Sequence, residues 1–171
     1  MVNEKISVLS FYPMNHEDFS LYAQDLFAIL WFNMNEIEPS GCTFEEDFAV
    51  WFDYNKNDTE RKTILFIDEA IDRIVGYFQY RLTDNTLGLD EIQILPDYQG
   101  KGLVYRPLMK YFLPKLPAEI TKHQSYINKN NLRSAAILEK MGAKVVGETP
   151  SGKSLCYEGC ITDLKNWTNL K

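Results

Sequence analysis

The stretch from Leu87 to Met109, which reads LGLDEIQILPDYQGKGLVYRPLM, constrains the fold more than any other part of the chain. It begins as an extended apolar run, breaks at Pro96, turns tightly through Gln99-Gly100-Lys101-Gly102 and continues with apolar residues at helical spacing. A glycine-containing turn between a strand and a helix leaves the first helical N–H groups unpaired and directed at one point. Because the helix dipole makes that point positive and glycine lets a ligand approach the backbone, the turn predicts a phosphate or pyrophosphate site.

The alternation of side chains in the strand changes phase near Asp90 and Glu91. In a regular strand, the apolar pairs on either side of this point would lie on opposite faces: Leu87 and Leu89, then Ile92 and Ile94. A β-bulge is the simplest device that produces such a change. A bulge followed by Pro96 also predicts that the strand separates from its next neighbour, which would leave backbone groups available to an extended ligand.

A second motif, NKNNLRSAAILEKMGAK, lies further along the chain. Asn130 or Asn131 is suited to cap a helix, and Lys140 would lie in the last turn of that helix. Gly142 follows at the position where a left-handed residue commonly ends a helix. The motif therefore predicts a short, well-delimited helix.

Together, and in this order, the two motifs resemble the signatures of the GNAT N-acetyltransferases. The first signature is Q/R-x-x-G-x-G/A, represented here by Gln99 and Gly102, and the second is N-x-x-A-x-x-x-Y-E-K-x-G-F, which begins here at Asn131. The chain departs from the family pattern at several positions: Val104, Pro107, Ser134, Leu138 and Ala143. Support from individual residues is confined to about 87–143, while the order of elements agrees along essentially the whole chain.

The resemblance implies an α/β (α+β) fold in one domain, residues 1–171. Its mixed, mostly antiparallel sheet would have about six or seven strands, splayed after the fourth and flanked by about four helices. The implied activity moves an acetyl group from acetyl-CoA to the primary amine of a small molecule or peptide, directly within a ternary complex. A non-catalytic acyl-CoA-binding module is the alternative. The implied cofactor-binding residues are Ile92, Gln93, Ile94, Leu95, Gln99, Gly100, Lys101, Gly102, Leu103, Val104, Asn131 and Ser134.

Acetyl transfer requires a proton acceptor, because a lysine-like amine with a pKa of about 10.4 is protonated at neutral pH. Glu91, at the expected bulge, is the candidate base, directly or through water, although a solvated strand carboxylate is the plainer interpretation. A backbone N–H near Ile94 or Leu95 is the candidate donor to the developing oxyanion. Since Leu138 stands where the family often has tyrosine, the candidate proton donor is water or Tyr126, whose plainer role is packing.

Composition excludes several other classes of protein. Apolar residues make up 45% and charged residues 25% of the chain, and the formal net charge of −6 argues against nucleic-acid binding. Three cysteines and two histidines form no metal-ligand pattern, so no metal site is expected. Without an apolar run of roughly 20 residues or a signal-like N-terminus, we expect neither membrane insertion nor secretion, and a cytoplasmic location. Whether the chain forms a homodimer is left open.

The other elements follow from periodicity, caps and turn residues. We expect a strand over Lys5–Tyr12 ended by Pro13, a helix capped by Asn15, and a loop over Asn33–Gly41. A capping box over Thr43–Glu46 opens a second helix, whose aromatic stripe is more typical of core packing than of a ligand site. Strands are expected over Lys62–Ile67, Arg73–Leu82, Glu119–Ile127, Lys144–Glu148 and Ser154–Gly159. The acceptor is expected between the Asn33–Gly41 loop and the Pro150–Gly152 hairpin.

Overall fold

The computed structural model describes residues 8–169, which form an open seven-stranded sheet flanked by five α-helices. The strands are β1 Leu9–Met14, β2 Lys62–Asp68, β3 Arg73–Thr83, β4 Thr86–Ile94, β5 Lys122–Asn128, β6 Lys144–Glu148 and β7 Ser154–Cys160. The helices are α1 Phe19–Ile37, α2 Phe44–Asn57, α3 Tyr105–Phe112, α4 Leu132–Lys140 and α5 Ile161–Asn169. The strand order is β1-β2-β3-β4-β5-β7-β6, and only the β4–β5 pair is parallel. The expected fold class is confirmed, with one helix, α5, that the sequence did not predict.

Alternate side chains of the central strands build two apolar clusters on opposite faces of the sheet. On one face, Leu65 and Tyr77 pack with Leu26 of α1. On the other face, Phe66 and Phe78 belong to the larger cluster that includes α3 and α5. The aromatic stripe of α2 packs against α1, with ring centroids 5.1–5.7 Å apart in the pairs Phe27–Phe44, Phe27–Phe48, Phe27–Trp51 and Phe19–Phe52. The stripe packs against the protein as expected, but its four aromatic side chains are only partly buried.

The predicted bulge lies at Asp90. Gln79 of β3 pairs with Glu91, whereas Tyr80 pairs with Leu89, so Asp90 is the extra residue in β4. The bulge brings the apolar side chains before and after it into one cluster, which contains Leu87, Leu89, Ile92 and Ile94. The Asp90 carboxylate lies 2.8 Å from Arg81 Nε and 3.4 Å from Arg61 Nε, so two cations hold the extra residue in place.

The predicted splay after the fourth strand is also confirmed. The parallel ladder between β4 and β5 covers only Thr86–Gly88 and Lys122–Gln124. Just beyond it, the Ser125 hydroxyl donates to the Leu89 carbonyl at 2.9 Å. The remainder of β4 therefore turns an unpaired backbone edge toward the space between the strands.

Three predicted boundaries were wrong in the N-terminal part of the chain. Pro13 lies inside β1, which tolerates it because β1 is an edge strand and one missing N–H can face away from the sheet. The start of the predicted strand, residues 5–7, lies outside the described residues. Asn15 forms no side-chain cap, and a short 3-10 turn precedes α1. Helix α1 continues to Ile37, so most of the expected Asn33–Gly41 loop is helical.

Pro107 lies in the first turn of a helix and therefore does not kink it. Helix α3 starts at Tyr105, which makes Pro107 its third residue. An N–H at that position would have no partner within the helix, so proline costs little there.

Gly76 allows β3 and β4 to pack closely, and we predict that Gly76→Ala destabilises the fold. A Cβ atom at this position would collide with the Gln93 carbonyl oxygen and lie 2.7 Å from Phe66 Cδ2. Because backbone and a buried ring must move, we expect a loss of about 1–3 kcal/mol in the free energy of unfolding, measured by urea denaturation. Gly147→Ala is the matched control, since a Cβ at this strand glycine meets nothing within 4 Å. Equal stability of the two variants would contradict the prediction.

Candidate active site

A cleft of about 780 Å³ runs along the end of β4 and the turn that follows it. Its walls come from the last turn of α1, the start of α3, most of α4 and Trp167 of α5. Most of the residues that the family resemblance assigned to the cofactor line this cleft: Ile92, Gln93, Ile94, Gln99, Gly100, Gly102, Leu103, Val104, Asn131 and Ser134. Leu95 and Lys101 are not among its lining residues.

The turn after β4 depends on two glycines. Gly100 and Gly102 have φ angles of +74° and +70°, a region that strongly favours glycine. A Cβ at Gly102 would meet nothing within 4 Å, so this position borders open space in the cleft. Val104, at the usual small-residue position of the motif, is only 3% exposed and also packs in the core.

The first turn of α3 offers fewer backbone donors than an ordinary helix N-terminus. Pro107 has no N–H, whereas the Leu108 N–H makes the first regular hydrogen bond of the helix, to the Val104 carbonyl at 2.7 Å. Positive charge at the cleft comes instead from the side chains of Arg106, Arg133 and Lys140. The electrostatic character needed for a phosphate group is therefore supplied largely by cationic side chains.

Arg133 of α4 reaches across to the glycine turn. Its Nη1 donates to Gln99 Oε1 at 2.7 Å, and its Nη2 would lie 3.4 Å from a Cβ at Gly100. Of the two expected caps, Asn130 and Asn131, it is Asn131 that caps α4, by accepting a hydrogen bond from the Ser134 N–H at 3.2 Å. The two motifs therefore meet at one end of the cleft.

The backbone at the end of β4 corrects one prediction. The Leu95 N–H donates to the Val75 carbonyl at 2.8 Å, so it is not available to an oxyanion. Since residues alternate along an antiparallel ladder, the N–H and carbonyl of Ile94 point away from β3. The Ile94 carbonyl accepts hydrogen bonds from Asn33 Nδ2 at 3.0 Å and Gln99 Nε2 at 2.9 Å. Of the two expected donors, only the Ile94 N–H remains a candidate.

Glu91 does not line the cleft itself, but its carboxylate contacts the side chain of Gln93, which does. Gln93, which lines the cleft, donates from Nε2 to Glu91 Oε1 at 3.1 Å. Burial raises the pKa of Glu91 to about 7, against the opposing effects of the Gln93 hydrogen bond and the Arg61 charge. A carboxyl with a pKa near neutrality is suited to exchange protons at physiological pH.

The structure does not bring Tyr126 to the cleft. Tyr126 is 57% exposed and lies opposite Cys156 in the β5–β7 ladder. Hydrogen bonding with Cys156 raises the pKa of Tyr126. Leu138 is 6% exposed and packs in the core, so neither residue supplies a proton donor at the cleft.

Sequence reasoning missed the contribution of α1 to the cleft. Asn33, Met34, Glu36 and Ile37 line it from the last turns of this helix, within a stretch predicted to be a loop. Further lining residues were not assigned to the site from sequence: Tyr98, Tyr105, Asn130, Leu132, Ile137 and Trp167. The available signal was the helical spacing of Phe27, Leu30 and Met34, which continues the apolar side of α1 past Trp31.

Three acidic residues lie in or next to the two segments between which the acceptor is expected, and their surroundings differ. Glu36 lines the cleft. Glu38 accepts from Lys153 Nζ at 2.7 Å and from Asn128, and these interactions lower its pKa. Glu148 pairs with Lys129 at 2.7 Å. The Glu38–Lys153 pair joins the end of α1 to the β6–β7 hairpin, which are the two segments where the acceptor is expected.

Residues 8–169 contain neither a candidate metal site nor a helix that could span a membrane. No group of three or more His, Cys, Asp or Glu residues there is placed to hold a metal ion. Within the same range, every helix is too short or too polar to cross a membrane.

Similar folds are found in acetyltransferases. The PaiA N-acetyltransferase of Thermoplasma acidophilum, solved with coenzyme A, has a TM-score of 0.66 and 13% identity, covering 89% of this chain and 98% of its own. The spermidine N-acetyltransferase SpeG of Vibrio cholerae has a TM-score of 0.60 and 16% identity, covering 94% and 98%. The aminoglycoside acetyltransferase AAC(6')-Ib, solved with coenzyme A, has a TM-score of 0.63 and 18% identity, covering 92% and 98%. No curated protein sequence matches the chain.

The sequence itself matches a family model. The model of the Acetyltransferase (GNAT) family matches residues 23–143, which include most of α1, the bulged strand, the glycine turn and the capped helix α4. The resemblance seen in the two motifs is therefore confirmed, and the chain belongs to the GNAT acetyltransferase family.

Proposed function

We propose that this protein transfers an acetyl group from acetyl-CoA to a primary amine of a small molecule or peptide, with Glu91 as the proton acceptor. The observation that carries the proposal is the separation of β4 from β5 beside a cleft that contains the Gln99–Gly102 turn. Acetyl-CoA is the acetyl donor of this family. We propose in addition the residues that bind the cofactor and the chemical class of the acceptor.

The residues present fit coenzyme A. The two left-handed glycines leave the turn open at Gly102, where a phosphate group needs close approach. Arg106, Arg133 and Lys140 line the same cleft and supply charge for the phosphates. The edge of β4 around Ile92, which is not paired with β5, would hold the extended arm of the ligand, since the Ile94 carbonyl already accepts from Asn33 and Gln99.

The bound cofactor supplies a thioester, and this chain's residues must manage the acceptor's proton. Glu91 takes that proton through a water molecule at the cleft wall beside Gln93, since Glu91 itself does not line the cleft. The Ile94 N–H points away from β3 and is the proposed donor to the developing negative charge on oxygen. The leaving thiol has an ordinary pKa of about 8.5, so its departure as a thiolate needs little assistance near neutral pH.

The acceptor is proposed to enter at the end of α1, near the β6–β7 hairpin. Glu36 lines this part of the cleft and is suited to attract a cationic amine. Two proteins of similar fold carry the names of amine acceptors, spermidine and aminoglycosides, so these compounds are the first to test. The three cysteines, Cys42, Cys156 and Cys160, are free thiols, which supports a reaction in the reducing cytoplasm.

Coenzyme A and acetyl-CoA are predicted to stabilise the protein. At a hundredfold excess over the dissociation constant, binding adds about 2.7 kcal/mol, or roughly 5 to 10 °C in the melting temperature of a chain of this size. Thermal melts with and without millimolar acetyl-CoA measure the shift, with adenosine as a control that lacks both the phosphates and the pantetheine arm. Melting curves that acetyl-CoA leaves unchanged would contradict the proposed cofactor site.

The alternative is a module that binds acyl-CoA without efficient turnover. It is favoured by one observation, the burial of Leu138 in the core at the position where the family often has tyrosine. A panel of amines, peptides and aminoglycosides, assayed by release of free thiol, separates the two functions. Binding without thiol release across the panel would favour the module.

A further inference from the structure

Five side chains form a continuous hydrogen-bonded chain from the glycine turn to Glu91. Arg133 Nη1 donates to Gln99 Oε1 at 2.7 Å, and Gln99 Nε2 donates to Asn33 Oδ1 at 3.4 Å. Asn33 Nδ2 then donates to Gln93 Oε1 at 2.9 Å. Finally, Gln93 Nε2 donates to Glu91 Oε1 at 3.1 Å. We call the side chains of Gln99, Asn33 and Gln93 the amide chain.

Every hydrogen bond in this chain points in the same direction. Arg133 has only donors, and an ionised Glu91 has only acceptors, so the two ends determine the orientation of the three amides between them. The Ile94 carbonyl provides an independent check, because it accepts from the amide nitrogens of both Asn33 and Gln99. A chain of aligned dipoles with a cation at one end and a carboxylate at the other strengthens each of its links.

The other groups around Glu91 do not provide this alignment. From β3, the Tyr77 hydroxyl is buried near Glu91 and lowers the pKa of Glu91, although the two groups do not meet the geometry of an ordinary hydrogen bond. Arg61, just before β2, lowers the pKa of Glu91, and the neighbouring Asp90 raises it. From α2, Asn55 bonds to Gln79 and Arg61 instead. The hydrogen bond that the structure gives Glu91 with ordinary geometry comes from Gln93.

We propose that Arg133, Gln99, Asn33 and Gln93 are positioning residues for Glu91, acting through the amide chain to orient its carboxylate and favour the ionised form. The proposal rests on the proposed function for its significance, since that function makes Glu91 the proton acceptor. Its structural content does not depend on that role. It predicts that Arg133 influences the ionisation of Glu91 although four hydrogen bonds separate them.

The test is a titration of Glu91 in the full chain without cofactor or acceptor. Glutamate carboxyl carbons labelled with ¹³C are followed by NMR against pH, and the Glu91 signal is identified by its loss in Glu91→Gln. In the parent protein the midpoint should lie near the pKa of about 7 that burial imposes. Gln93→Met removes the direct donor and should strengthen proton binding by Glu91 about tenfold, which moves the midpoint upward.

Arg133→Met is the decisive variant, because Arg133 touches Gln99 and not Glu91. We expect the Glu91 midpoint in Arg133→Met to move upward as well, by less than in Gln93→Met. Arg133→Lys keeps a donor, so its Glu91 midpoint should stay nearer that of the parent. Lys140→Met is the matched control: Lys140 lies on the same helix and lines the same cleft, so it reports the loss of one positive charge acting through space. Equal midpoints in Arg133→Met and Lys140→Met would overturn the proposal.

A break in the middle of the chain gives a second test. Asn33→Leu removes the hydrogen bonds in the middle of the amide chain. In this background, Arg133→Met should shift the Glu91 titration midpoint by no more than Lys140→Met does. An undiminished effect of Arg133→Met would assign it to charge alone and overturn the proposal.

Kinetics then separate this proposal from the proposed function. If acetyl transfer is observed, the acid limb of the kcat/KM profile should follow the NMR midpoints from variant to variant. Absence of acetyl transfer would count against the proposed function and leave the titration result standing.

Discussion

Replacement of Glu91 by glutamine should slow acetyl transfer by about 10²–10⁴-fold at neutral pH while leaving the affinity for coenzyme A nearly unchanged. Glutamine preserves the shape of the side chain and its place beside Gln93, but it cannot accept the acceptor's proton. The measurement is kcat at saturating acetyl-CoA, together with the dissociation constant of coenzyme A by calorimetry. An unchanged kcat would show that Glu91 is not the proton acceptor.

The value of kcat/KM for acetyl transfer should increase with pH. The base works only when ionised, so kcat/KM of the parent should rise with pH through about 7, the pKa to which burial raises Glu91. In Glu91→Gln this limb should disappear. Raising the pH further should partly restore the variant's rate, since more of the amine then arrives without its proton. A profile of Glu91→Gln that matched the parent's would move the search for a proton acceptor to solvent.

Burial of Glu91 also has a consequence for stability that needs no substrate. A carboxyl whose pKa is raised on folding binds more protons in the native state than in the unfolded state between its ordinary pKa of 4.5 and about 7. The contribution of Glu91 to stability is therefore present below pH 4.5 and is lost as the pH rises to 7. As the pH rises through this range, we expect the melting temperature of Glu91→Gln to increase relative to that of the parent. This measurement identifies the group with the raised pKa independently of catalysis.

The local parts of the fold could be predicted because each has a signal within a few residues. The phase change at Asp90 predicted the bulge, and the Thr43–Glu46 capping box predicted the start of α2, where both reciprocal hydrogen bonds are present. The Asn131 cap predicted the start of α4 in the same way. These features follow from alternation and from backbone groups that must be satisfied, which a short sequence window contains.

Features that depend on distant parts of the chain could not be predicted in this way. The extension of α1 to Ile37 had a local signal in the spacing of Phe27, Leu30 and Met34, but the contacts of Asn33 with Gln93 and Ile94 could be found only in the structure. Helix α5 is short and polar, and Trp167 reaches the cleft only through the tertiary fold. Local propensity is overridden in these places by packing against elements far away in sequence.

The same limitation applies to the site. Most of the residues between Ile92 and Val104 that the motif assigned to the cofactor line the cleft. Glu91 was selected by its position at the bulge, but its pKa depends on burial, Gln93 and Arg61, which no spacing reveals. Arg133 was not selected, because its contact with Gln99 joins two elements that only the fold brings together. Chemistry that resides in one strand and its turn can be predicted from sequence, whereas chemistry assembled across elements requires the structure.

Gly102→Val should abolish measurable binding of coenzyme A in the micromolar range while the protein remains folded. The backbone at Gly102 has a φ of +70°, and a side chain there would project into open space that the phosphate groups are proposed to occupy. Valine is unfavourable in this region because its branched Cβ crowds the adjacent carbonyl, so two effects, strain and obstruction, act together.

A matched control separates those two effects. Gly152 has a φ of +71°, and a Cβ added there would also meet nothing within 4 Å, but this glycine lies in the β6–β7 hairpin and does not line the cleft. Gly152→Val should therefore show a similar loss in melting temperature and an unchanged dissociation constant for coenzyme A. If Gly102→Val bound coenzyme A as the parent does, the phosphates would have to lie elsewhere than on the Gln99–Gly102 turn. If both variants lost binding equally, the loss would reflect general destabilisation and would not support a cofactor site at the Gln99–Gly102 turn.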